Sequence, residues 1–375
     1  MAPPLTNTAP VEGGEKKKKK KDKDKSWLSA NSLSRIIAQV LGALIALLGP
    51  VLLIKSGYLT GGGGGGSSSG GGGGGGGNPT STVKLTQTTW QSFNLGFLSS
   101  LTSKKLEASG AIAVPGSNGL LLVDDGKNEI LWMPINESGQ QAGNLKPVPL
   151  NVNFMDAEAI TYGGSYFYVV TSQSDPNKST SNLLMRFTFD AQTQTASGAE
   201  VVNDLRSFLL NNVPEIRVLG EKPGLQGGLN IEGMAYDPNT NNERLLLGLR
   251  SPFVGDRAVL VPLKLINPRA PLAANNIRVD QPSVITLSLD GQGVRDITYD
   301  PNSNVFLIVS GAPETAKKTD FGLWEWSGKA NDQPRRIAML NEDYKPEGVT
   351  GVSLNGQNFV IVVGDAGSYL KLEYR

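Results

Sequence analysis

The sequence contains no cysteine and no histidine. Without cysteine there is no disulfide and no thiolate metal site, and the redox compartment leaves no mark on the chain. Without histidine, Ser-His-Asp hydrolysis, a histidine general base and histidine-bound zinc are all excluded. Net charge is also small, +1 over 375 residues, but it is unevenly spread. Residues 1–60 carry ten Lys/Arg against four Asp/Glu, and the remainder carries 25 against 30. A mildly acidic body lacks the basic face that a phosphate backbone requires, so nucleic acid is not expected as a partner.

What is present divides the chain into four stretches. Residues 1–34 are rich in Pro, Lys and Asp, with six lysines in a row from Lys16 to Lys21. Nothing there can bury an apolar core, so a disordered basic tail is expected. Residues 35–55 hold the apolar run IIAQVLGALIALLGPVLLI between Arg35 and Lys55. As a helix this run would reach roughly 28 Å, about the thickness of a bilayer core. It is longer than the apolar region of a signal peptide, and no clean A-x-A site follows before Gly61, which favours an uncleaved single-pass anchor. The lysines lie on its N-terminal side, so the tail is expected inside and the rest in a periplasm or lumen, from an inner, plasma or thylakoid membrane. Residues 56–82 contain a stretch of only Gly and Ser, Gly61 to Gly77. Such a chain packs nothing and behaves as a flexible tether spanning about 20–25 Å.

Residues 83–375 read as strands organised by one recurring phrase. Its clearest copy is NIEGMAYDPNTNNERLLLGLR, Asn230 to Arg250. Others are DAEAITYGGSYFYVVTS from Asp156, GVRDITYDPNSNVFLIVSG from Gly293, KPEGVTGVSLNGQNFVIVVGD from Lys345 and ASGAIAVPGSNGLLLVDDG from Ala108. Each opens with small and apolar residues, turns at Pro, Asn or Gly, and returns as an almost wholly apolar strand. A third, alternating strand follows each hairpin, as in Met185, Phe187 and Phe189 between Arg186 and Thr188, and a fourth can be placed after most of them. Four antiparallel strands per repeat describe a propeller blade, so the expected fold is an all-β, five-bladed β-propeller. A sixth, degenerate blade remains an alternative between Asp190 and Gly228, where LRSFLLN from Leu205 also suggests a short helix. The last repeat runs out after its third strand, and a lone strand within Val83–Phe93 is expected to complete it and remove an exposed edge.

The opening strand of each repeat should line the central channel. Aligning the repeats places Glu158, Glu232 and Glu347 in one row with Arg295, followed by Asp296, and with Ser109 or Gly110 in the first repeat. One reading is a hard-cation site, with Ca2+ held by Glu158, Glu232 and Glu347, or a small polar ligand clamped by charge. The other is that glutamates at this position accept backbone hydrogen bonds from the next blade and fix register. The second strands should all end on one rim, at Asp124-Asp125, Thr171-Ser172, Arg250-Ser251, Ser310-Gly311 and Asp365. Arg250 closes an apolar strand there and is expected either to meet one of the glutamates or to bind an anionic ligand. Asp237-Pro-Asn239 and Asp300-Pro-Asn302 open like calcium loops but lack the later glycine and glutamate, and read equally as hairpin turns.

The phrases NIEGMAYDP, LLLGLRSP, GVRDITYDP and KPEGVTGV resemble an uncharacterised bacterial family, domain of unknown function thirty-six sixteen. More distantly they are similar to the esterase-like phytase propellers. The first resemblance implies no activity, and the second implies calcium and phosphoesters. Two functions therefore follow as expectations. One is a membrane-anchored module that binds a polar ligand or a periplasmic protein, and the other is a calcium-dependent ester or phosphoester hydrolase.

Overall fold

The structure is a computed structural model, and it describes residues 83–96, 106–239, 243–313, 315 and 320–375. The basic tail, the apolar run and the Gly/Ser tether lie outside the described residues. Among the described residues no helix is long and apolar enough to cross a membrane.

Two short strands, β1 (Leu85–Gln87) and β2 (Gln91–Ser92), precede five antiparallel sheets. Blade I is β3 (Ala108–Ala113), β4 (Gly119–Asp124), β5 (Glu129–Pro134) and β6 (Lys146–Pro147). Blade II is β7 (Ala157–Gly163), β8 (Tyr166–Thr171), β9 (Leu184–Asp190) and β10 (Thr195–Val202). Helices α1 (Leu205–Asn212) and α2 (Pro214–Gly220) follow. Blade III is β11 (Asn230–Tyr236), β12 (Arg244–Val254) and β13 (Arg257–Leu265), with its outer place shared by β14 (Ile277–Val279) and β15 (Ile285–Leu287). Blade IV is β16 (Gly293–Asp300), β17 (Val305–Gly311), β18 (Phe321–Trp326) and β19 (Arg335–Leu340). Blade V is β20 (Pro346–Leu354), β21 (Gln357–Gly364) and β22 (Ser368–Tyr374).

The fold is a five-bladed propeller. The inner strands β3, β7, β11, β16 and β20 each neighbour the next, and β20 returns to β3. Five apolar clusters fill the five seams between blades. A sheet packed on both faces needs apolar residues at every position, which explains the unbroken second strands: GLLLVD of β4 is buried from end to end. The insertion between blades II and III is helical rather than a sixth sheet. Asp204 caps α1 by accepting from the Ser207 N–H, and Leu205, Leu209 and Ile216 join the II/III seam.

The ring closes as the lone strand suggested. β1 pairs antiparallel with β22, Leu85 opposite Tyr374, and β2 pairs with the start of the same strand. Arg375 N–H donates to the Lys84 carbonyl at 3.0 Å, which extends the seam to the C-terminus. No free edge is left on β22.

One expectation changes. Alternation in β9 places Arg186 on the face opposite Met185 and Phe187, where a strand with one packed face is wetter, yet Arg186 is buried. The long excursion after β13 covers it. The Arg186 guanidinium donates to the Pro268 carbonyl at 3.0 Å, the Ala270 carbonyl at 2.6 Å and Glu200 at 2.8 Å, so each of its three nitrogens has a partner.

Candidate functional site

The strand register explains how the aligned residues reach the axis. In every blade the inner strand has one residue at this level without a partner on its neighbour, and in blade III β12 has one as well, Arg250. Ala108 faces Asp124 and Gly110 faces Val123, so Ser109 is extra. By the same count the extra residues are Glu158 in blade II, Glu232 in blade III, Arg295 in blade IV and Glu347 in blade V. A bulge releases its residue from the pleat and re-aims its side chain. Five bulges at one level therefore place one serine, three glutamates and an arginine around the channel mouth.

The glycine in the E-G pair has its own cause. The residue after each bulge lies where adjacent inner strands come closest. A Cβ on Gly348 would stand 2.8 Å from the Gly110 Cα, and one on Gly233 would stand 3.1 Å from the Asp296 Cα. Only a residue without a side chain allows blades III and V to approach their neighbours this closely.

The charges sort into two halves. Across blades III, IV and V, Arg295 forms a bidentate pair with Glu347 through Nε and Nη2. Its Nη1 lies 2.9 Å from Glu232 Oε2, an ion pair without the alignment of a hydrogen bond. Arg250 Nη1 donates to Glu232 Oε1 at 2.9 Å, and Asn230 Nδ2 donates to the same oxygen at 2.9 Å. Arg250 Nε donates to the Ala312 carbonyl at 3.1 Å. Arg250 thus meets a glutamate within the protein. Glu232 and Glu347 are held by arginines, so they are poorly placed to act as cation ligands alongside Glu158.

Asp296 does what the register reading had assigned to the glutamates. Its carboxyl is buried and accepts from the Val349 N–H of blade V at 2.8 Å, the Ile297 N–H at 2.8 Å and the Met234 N–H of blade III. Burial pushes this carboxyl well above the usual carboxylate range despite those three donors. It joins three inner strands and does not face a ligand.

Blades I and II form the other half. Asp125 follows β4, Asp156 precedes β7, and Glu158 is the bulged residue of β7. One oxygen from each lies within 4.8 Å of the others. Among the described residues none of the three pairs with a lysine or arginine. Ser174 donates to Asp156 Oδ2 at 3.1 Å, and Ser172 donates to the same oxygen. Burial, with repulsion from Glu232, Asp125 and Asp156, holds Glu158 well above the carboxylate range. Asp125 is pushed up to about 8 by burial, then by its hydrogen bond with Glu107 and the charges of Glu107, Asp156 and Asp365. Asp125 and Asp156 were absent from the aligned row because the row follows inner strands alone. Their signal was the rim, where the end of β4 and the start of β7 meet.

The calcium-like loops are turns. Asp300 Oδ1 accepts from Asn302 N–H at 3.2 Å, and its Oδ2 takes the Ser303 and Tyr374 hydroxyls. Asp237 accepts from Asn239 N–H at 2.9 Å and pairs with Arg244.

Residues 176–358 match the model of a family described as protein of unknown function (DUF3616). No curated protein matches the chain. Among solved structures, the holo form of the pyranose dehydrogenase PQQ domain from Coprinopsis cinerea aligns over 79% of this chain and 98% of that one. Sequence identity is 10% and the TM-score 0.40.

Proposed function

We propose that the chain is a membrane-anchored, extracytoplasmic binding module whose ligand is positively charged at its point of contact, with Ca2+ the simplest occupant. The observation that carries this reading is the trio Asp125, Asp156 and Glu158, whose oxygens converge within 4.8 Å with no lysine or arginine paired to them among the described residues. Calcium–oxygen distances are about 2.3–2.6 Å, so ligand oxygens on opposite sides of the ion stand about 5 Å apart. The trio fits that sphere. Calcium takes six to eight oxygens, so water or oxygens of a larger ligand would complete the shell. Zinc is disfavoured because the chain offers neither imidazole nor thiolate. The membrane anchor and the periplasmic or luminal side rest on the apolar run and its lysines. Titrating CaCl2 into the purified full chain by calorimetry tests the site. One saturable event, lost in Glu158→Gln and kept in Glu347→Gln, supports it. An event that survives Glu158→Gln removes the trio from the account.

A second reading makes the same mouth a calcium-dependent ester or phosphoester hydrolase. The observation in its favour is that Arg295, the bulged residue of blade IV, shares the channel mouth with Glu158, the bulged residue of blade II, so a cation and the acidic trio line the same opening. Asp125, Asp156 and Glu158 would hold the ion, which would supply an activated water for ester hydrolysis. The reading requires calcium-dependent release of p-nitrophenol from p-nitrophenyl phosphate or acetate that Glu158→Gln abolishes. Calcium binding without turnover leaves the binding module alone.

A further inference from the structure

The opposite mouth of the channel carries a second site. At the far ends of the inner strands lies a cavity of about 500 Å³, and all five blades line it. From Glu158 to Tyr162 along β7 is four residues, about 13 Å of strand, so this cavity is separate from the acidic mouth. Its volume lies in the range of small-molecule pockets.

Its chemistry is the reverse of the first mouth. Among the described residues no charged side chain lines it, and its surface is mostly apolar. Three tyrosines, Tyr162, Tyr236 and Tyr299, hold the same place in their repeats, two residues past the hydrophobic anchors Ile160, Met234 and Ile297. All three are half-buried. The Tyr236 ring covers Gly163 of the next blade, a place where any Cβ would strike it. No basic side chain lines the cavity among the described residues to meet an anion, and the nearest carboxylates, Asp300 behind Gly351 and Glu243 beside Gly164, are already taken up by the Ser303, Tyr374 and Tyr168 hydroxyls, so an ionised ligand would lose hydration without a free charge to meet it.

The hydroxyls narrow the class further. Thr161 Oγ1 already accepts from Tyr236 N–H at 3.0 Å, and Thr350 Oγ1 accepts from Ala113 N–H at 3.0 Å, both across blade seams. The Tyr299 hydroxyl donates to Asn304 at 2.6 Å, and Ser117 donates to the Val114 carbonyl at 2.8 Å. A sugar carries a hydroxyl on nearly every carbon, and each of these four lining hydroxyls meets it with one hydrogen bond already spent. Flat apolar rings can lie against tyrosine and proline faces without that cost. We infer that this mouth binds an uncharged, ring-shaped, largely apolar small molecule, aromatic or alicyclic.

The test uses N-phenyl-1-naphthylamine, an uncharged aromatic probe whose emission rises in apolar surroundings, titrated into the full chain. Wild type should show one saturable site. Ser353→Trp, which fills the mouth from an exposed position on blade V, should weaken it tenfold or more, and Ser353→Ala should leave it unchanged. Ser117→Trp, from blade I, should act like Ser353→Trp and serves if that variant fails to fold. Equal binding by wild type and both tryptophan variants would place the probe elsewhere on the chain and overturn the site. Equal binding of the anionic 1-anilinonaphthalene-8-sulfonate would overturn the charge argument. Displacement of the probe by methyl β-D-glucopyranoside would overturn the choice of an apolar ring over a sugar.

Discussion

Replacing Arg295 by methionine perturbs the point where three blades meet. The arginine is about one-tenth exposed and sits between Glu347, which it grips through two nitrogens, and Glu232. Methionine keeps much of the apolar stem and removes the charge. The two glutamates then fare differently. Glu232 keeps Arg250 and Asn230, both at 2.9 Å. Glu347 loses both bonds of its bidentate pair while remaining buried. Breaking a buried pair from one side costs about 3–5 kcal/mol, mostly because the surviving charge is stranded. In a domain of this size 1 kcal/mol corresponds to about 2–3 °C, so Tm should fall by about 6–15 °C. The loss should also depend on pH. A stranded buried glutamate has its folded-state pKa raised above the unfolded value near 4.3. Such a group favours the native state when protonated and disfavours it when ionised, so stability is lost as pH rises. Urea denaturation at pH 5 and pH 8 should therefore show the larger deficit at pH 8. Adding Glu347→Gln to the variant should recover at least about 1 kcal/mol, because the stranded charge is gone. A deficit under about 1 kcal/mol, equal at both pH values, would refute the view that these charges are buried together.

Asp296→Ala should cost about 3 kcal/mol or more in urea denaturation, since it leaves the Val349, Ile297 and Met234 N–H groups without an acceptor. It should not change calcium binding in calorimetry. Gly233→Val should destabilise at least as much, because its Cβ would meet the Asp296 Cα at 3.1 Å and Val294 at 2.9 Å in the III/IV seam, and Tm by scanning calorimetry reads this. Asp125, held at about 8, is protonated at neutral pH in the folded protein. Without calcium its contribution to stability is present below about pH 4 and falls as pH rises toward 8. Calcium must displace that proton, so calcium affinity should rise from pH 6 to 8, and the heat of binding should vary with the ionisation enthalpy of the buffer.

The blades were legible because a strand covered on both faces cannot hide its composition. VFLIVSG and FVIVVG can be little else than buried strands, and their spacing counts the blades. The row of Glu158, Glu232, Arg295 and Glu347 was legible for the same reason, since each occupies one place in a repeated phrase. What that place does was not legible. The bulge that turns these side chains to the axis is a one-residue slip in register, and register appears only when strands pair. The roles of Glu232 and Asp296 depended on partners more than fifty residues away, such as Arg295 for the first and Val349 for the second. Asp125 and Asp156 belong to different phrases and meet only because blades I and II are neighbours. The apolar cavity left a trace in the repeated tyrosines Tyr162, Tyr236 and Tyr299, but a ring of residues shows no hollow until the ring is closed.

Five bulges bring their side chains to one axis, and Asp125, Asp156 and Glu158 are left to hold a cation. Electron density from crystals grown with CaCl2 tests it most directly. A peak should stand at about 2.3–2.6 Å from oxygens of all three residues, with Arg295 still joined to Glu347. Density showing that trio dispersed, or an ion bound by Glu232 and Glu347 instead, would contradict it.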